Sequence, residues 1–144
     1  MTALILVLLS HRLMPIANEG DLAIRYHVAT AVLDVTSDKQ EQALLIVIAA
    51  EESAFRPDVL SCETRGDNGR ARGAWQIHPR SAPEYRAACT LDGGAFLALE
   101  RVRESLRVCR HMPADKRLGI YNSGRCDRGL RISARRWRFA TEVW

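Results

Sequence analysis

Hydrophobic positions in this chain gather into helical patterns on either side of one unbroken apolar run. That run, Ala43 to Ala50, ends directly on two glutamates, Glu51 and Glu52. From Gln42 to Phe55 the chain is apolar on nearly every side, which predicts a helix enclosed by other helices, because a surface helix keeps one polar face. Two amphipathic helices are expected before it, Leu4 to Leu13 and Asp21 to Val35. In the second, Ile24, His27, Val28, Ala31 and Val35 return at helical spacing. The turn "TSDKQEQ" offers two caps for the buried helix, Ser37 with Glu41 nearby, or Asp38.

Beyond the glutamates the pattern breaks. Residues 61–73, "SCETRGDNGRARG", form a glycine-punctuated loop that suits a β-hairpin-like excursion with Asn68-Gly69 as its turn. Helical spacing resumes in "LDGGAFLALERVRESLRVCR", with Asp92 as cap and Phe96, Leu99, Val102, Leu106 and Cys109 as one stripe. "KRLGIYNSGRC" reads as a short apolar approach to a turn. A last helix from about Ser133 places Trp137, Ala140 and Trp144 on one side. The fold class is mainly α, helix packed on helix, with one domain over residues 1–144.

Composition narrows this only slightly. The net charge of +4 rests on 19 arginines against 2 lysines and suits an anionic partner without choosing one. The opening "MTALILVLLSHRLMP" has no positive charge before its apolar run and is too short to span a bilayer. It reads as the first helix of the domain, with a degenerate export signal as the alternative and no stable membrane insertion. Four cysteines, Cys62, Cys89, Cys109 and Cys126, allow three pairings. The sequential one would close two local loops, in a compartment outside the cytosol. Zinc, with His78 or His111 added, lacks the usual ligand spacing, so neither a metal nor any other cofactor is expected.

The chemistry begins at the paired glutamates. A carboxylate at the end of a buried helix either frays into water, pairs with an arginine (Arg56 is near in sequence), or serves as an acid whose proton is held by desolvation. Three strings weigh on this choice: Glu52-Ser53-Ala54-Phe55, then Gly73-Ala74-Trp75-Gln76-Ile77-His78-Pro79, then Tyr121-Asn122-Ser123-Gly124. Their order and spacing resemble the lytic transglycosylases and goose-type lysozymes of phage and bacteria. The loop string "GDNGRARGAWQIHP" looks like one variant of that group's pattern.

The resemblance implies a lysozyme-like α fold and cleavage of the peptidoglycan glycan strand, by a monomer acting outside the cytoplasm. It places Glu52 on the catalytic acid/base, while Glu51 matches no catalytic position and is left as a supporting or solvent-facing neighbour. Its like charge would favour a protonated Glu52. The resemblance also places Ser53, Trp75, Gln76, Ile77, Tyr121 and Asn122 in the substrate-binding motifs. Trp75 has two readings, stacking on a sugar face or filling the core. Ile120, Ser123 and Trp75 depart from the residues usual in the family.

Glycosidases commonly use two carboxylates. Candidates for the second are Glu63 and Asp67, the latter also suited to shaping the turn. Without a second carboxylate, the resemblance implies transglycosylation to a 1,6-anhydromuramyl end. With one, it implies hydrolysis as in goose-type lysozymes. From Arg125 to Phe139 the chain holds six arginines and one aspartate. A solvated helix face is the preferred reading there, a basic nucleic-acid- or envelope-binding module the rival, and no nucleic-acid partner is expected.

Overall fold

The computed structural model describes residues 1–142. Trp144, expected on the inner side of the last helix, lies outside the described residues. The architecture is mainly helical, as the patterning requires. Helix α1 (Ala3–Leu13) is capped by Thr2, α2 (Glu19–Val35) by Asn18 and α3 (Lys39–Ser53) by Asp38. After α4 (Pro57–Leu60) and the long loop come α5 (Ala82–Ala87), α6 (Leu91–Val108), α7 (Gly119–Ser123) and α8 (Leu130–Thr141).

Helix α3 runs through the centre, with every residue from Gln42 to Ala50 buried. Helices α1, α2, α6 and α8 all pack on it, so no face is left for polar residues. The core cluster draws on α1, α2, α3, α6 and α8 together with Ala74, Trp75 and Ile77 of the loop. Among the described residues, no helix is long and apolar enough to cross a membrane.

Several expected details are corrected. Thr90, not Asp92, caps α6, its hydroxyl accepting from the Gly93 amide. Phe96 is exposed, because the buried stripe of α6 runs through Ala95, Leu99 and Val102. His27 of α2 is also exposed, and its neighbour Arg25 is the residue taken inside. Arg25 donates to both carboxylate oxygens of Asp21 and to the carbonyls of Met14 and Pro15, and lies over the Phe55 ring. Tyr121 and Asn122 belong to α7 rather than to a turn; the turn follows at Gly124, whose φ is +74°. The last helix begins at Leu130, three residues before Ser133.

The loop is irregular rather than a hairpin of paired strands. A 3-10 turn at Asp67–Gly69 sits inside a single bridge between Gly66 and Ala71, and a second bridge joins Arg72 to Ile77. The cysteines form Cys62–Cys89 and Cys109–Cys126. The first ties the start of the loop to the segment after α5; the second ties the end of α6 to the turn after α7.

Candidate active site

Helix α3 ends where Ser53 turns its hydroxyl inward, donating to the Ala49 carbonyl and accepting from the Phe55 amide. Ala54 and Phe55 then adopt left-handed backbone, with φ of +50° and +55°. Ser53 is therefore a helix-terminating residue, 3% exposed, and offers no group to a ligand. The two glutamates just before it stand on the last turn of α3, facing α8.

There they meet an arginine that the sequence reading placed on a solvated face. Arg136 is 3% exposed and forks into three acceptors. Its Nε donates to Glu51 Oε2 at 2.7 Å, its Nη1 to Asn122 Oδ1 at 2.7 Å and its Nη2 to Glu52 Oε1 at 2.5 Å. Arg135 pairs with the other oxygen of Glu51 at 2.8 Å. Burial opposes the charge on Arg136, but its hydrogen bonds to the two carboxylates outweigh that and raise its pKa. Two expectations change. Glu51 is not solvent-facing: its side chain is 16% exposed against 30% for Glu52. The apolar setting expected around Glu52 is in fact an ion-pair cluster, and Arg56, the arginine near in sequence, pairs with Asp58 instead.

A cavity of about 730 Å³ opens beside this cluster. Its lining includes Asp67, Gln76, Ile77, Tyr121 and Asn122, together with Arg80, Arg101 and Glu104. Glu52 stands next to that lining and is coupled to it through the Arg136–Asn122 bond. Among the described residues, no hydrogen bond reaches Glu52 Oε2. Tyr121 donates its hydroxyl to the Trp75 carbonyl at 2.9 Å. Burial, reinforced by the charge on Glu52, pushes this phenol far above its ordinary range, so it stays protonated. Gln76 has a φ of +45°, unusual for a residue with a side chain, and donates to the Gly73 carbonyl.

Trp75 resolves in favour of the core. It is 1% exposed and its indole donates to the Leu45 carbonyl of α3 at 2.9 Å, so it presents no face to a sugar. Of the candidate second carboxylates, Asp67 lines the cavity, 3.7 Å from both His78 and Arg70. Glu63 is exposed and outside the lining.

The family model described as the transglycosylase SLT domain matches residues 35–97. The match supports a lytic transglycosylase, lysozyme-like family for the part of the chain it covers. No curated protein and no solved structure matches it. Proteins with this domain are peptidoglycan lytic transglycosylases, and the match supports glycosidic bond cleavage in that polymer as the general activity. The transglycosylase match covers both glutamates, the loop and Gln76, whereas Tyr121, Asn122 and Arg136 lie beyond it.

Sequence reading missed Arg136, although a signal was present. Arg136 lies four residues before Ala140 and three after Ser133, both buried, so it shares their face of α8. Two adjacent glutamates closing an apolar run also require a cationic partner. Of the six arginines between 125 and 139, Arg125 pairs with Asp127, and Arg135 and Arg136 hold the glutamates. Arg128, Arg131 and Arg138 are exposed.

Proposed function

We propose that residues 1–144 form one catalytic domain that cleaves the β-1,4 bond between N-acetylmuramic acid and N-acetylglucosamine, with Glu52 as general acid and then base. The observation carrying this reading is the Arg136 bridge. One guanidinium joins the Glu52 carboxylate to Asn122, which lines a cavity of the size that small ligands and short oligosaccharides occupy. The amides of Gln76 and Asn122 suit the acetamido and hydroxyl groups of such a strand. Tyr121 lines the cavity while its hydroxyl is committed to the Trp75 carbonyl.

In the first step Glu52 gives its proton to the glycosidic oxygen as the bond from that oxygen to the muramyl C1 breaks. The muramyl acetamido oxygen supports the positive charge growing at C1. In the second step the 6-hydroxyl of the same sugar attacks C1, and its proton passes to the Glu52 carboxylate. The product is a 1,6-anhydromuramyl end, and no water is consumed. Hydrolysis is the second reading, favoured by the presence of Asp67 in the same cavity, where it would direct a water to C1. Its proximity to His78 and Arg70 instead suits a turn-shaping role and weighs toward transglycosylation. Two disulfides fit an enzyme working outside the cytoplasm, on peptidoglycan in the periplasm or released at lysis.

The test is digestion of purified peptidoglycan by the parent protein and by Glu52→Gln, with mass analysis of the released muropeptides. The parent yields anhydro ends, and Glu52→Gln yields no fragments. Full lysis by Glu52→Gln would remove the acid assignment; reducing ends from the parent would move the reaction to hydrolysis.

A further inference from the structure

The carboxylate next to the proposed acid has a place in the site that no sequence motif assigns. Glu51 forms an ion pair with Arg135 through one oxygen and accepts a hydrogen bond from Arg136 on the other, so both its oxygens are engaged. Among the described residues, Glu52 receives only the Nη2 of Arg136, on one oxygen. A buried guanidinium facing a single carboxylate would act as its full counter-ion and hold it ionised. A protonated acid beside it would leave that guanidinium buried without a counter-charge. Here the charge of Arg136 is already met by Glu51 on its Nε side.

We propose that Glu51 is a positioning residue: it anchors Arg136 by charge, so that the guanidinium can fix both Glu52 and Asn122 without taking Glu52 as its sole counter-ion. This rests on the reading of Glu52 as the acid. The surrounding elements leave the task to Glu51. From α8 the groups facing the pair are Arg135 and Arg136. From α7 Tyr121 stays protonated, with the Arg136 guanidinium 5.9 Å from its ring. Arg101 of α6 is paired with Glu84, and Arg25 of α2, over the Phe55 ring, is paired with Asp21. From α1 the Ser10 hydroxyl accepts a hydrogen bond from Arg25.

The experiment is the pH profile of turnover on solubilised glycan strands, with thermal melting measured in parallel. The alkaline limb of such a profile reports loss of the proton from the general acid. In Glu51→Gln the shape is kept and the charge removed, so Arg136 turns its charge on Glu52. The alkaline limb then moves to lower pH by about one unit, the low end of what one close opposite charge produces. Glu51→Asp restores the charge and brings the limb back toward the parent position. A limb that stays in place in Glu51→Gln, whatever happens to rate or melting, overturns the proposal. Arg136→Lys keeps the charge and loses the fork, and turnover drops about tenfold as Glu52 and Asn122 lose their common anchor. Undiminished turnover in Arg136→Lys overturns the bridging role even where Glu51→Gln does not fold. Lysis by Glu52→Gln, in contrast, removes the acid assignment beneath both.

Discussion

Gly66→Ala should separate stability from activity in this protein. Gly66 has extended backbone, φ −84° and ψ 174°, which alanine adopts without strain. A Cβ there would collide with the Gln76 side-chain oxygen, the far end of a flexible side chain and not backbone. Gln76 must therefore swing away and give up its hydrogen bond to the Gly73 carbonyl. Losing that bond costs about 1 kcal/mol. Reduced freedom of the unfolded chain returns about 0.4–1 kcal/mol. The two nearly cancel, so the melting temperature should move by less than about 3 °C. Activity responds differently, because the Gln76 amide leaves the cavity it lines. One lost hydrogen bond to substrate, about 1 kcal/mol, is roughly fivefold in kcat/KM.

The assay is a double-mutant cycle with Gln76→Ala, reading melting temperature and rate of glycan release. In the Gln76→Ala background there is no amide to displace, so adding Gly66→Ala should change the rate by less than about twofold. An equal loss in both backgrounds would refute the coupling. A destabilisation beyond about 3 kcal/mol would show that the loop backbone, not the side chain, had to yield.

Trp75→Phe should cost about 2 kcal/mol, from the lost indole bond to the Leu45 carbonyl and the void left in the core. KM for glycan should stay within about twofold; a large rise in KM at unchanged stability would return Trp75 to the sugar-binding surface. The Arg25 guanidinium holds the Asp21 carboxyl below its usual range, so the pair contributes stability above the unfolded pKa of about 4 and loses it as pH falls further. Asp21→Asn should cost about 3 kcal/mol at pH 7, since it leaves Arg25 buried without a counter-charge. Denaturant titrations at several pH values should show that deficit shrinking below about pH 4; a constant deficit would mean that packing, not charge, is lost.

Period and composition made much of the fold legible. Continuous apolar character around Gln42 to Ala50 can be satisfied only by enclosure, so the central helix was determined locally; the sequence offered Ser37 or Asp38 as its cap, and the structure uses Asp38. Spacing also located the loop between residues 61 and 73 and the four cysteines that close beside it and beyond α6. Motif order singled out Glu52, Gln76, Tyr121 and Asn122 as candidates. Which way each side chain points was another matter. Trp75 and Ser53 have groups that could serve a sugar or the interior, and only the approach of the loop to α3 turned Trp75 inward.

The charge arrangement was decided entirely by packing. Glu51 and Glu52 lie 84 or 85 residues from Arg136 along the chain, a separation at which no periodicity operates. An arginine among six in one segment carries no mark of burial in the sequence. Packing α8 against α3 places Arg136, alone of the six, deep between the two glutamates and Asn122. A buried cation needs anions, and the same anions need it; that mutual requirement is met only across a tertiary contact.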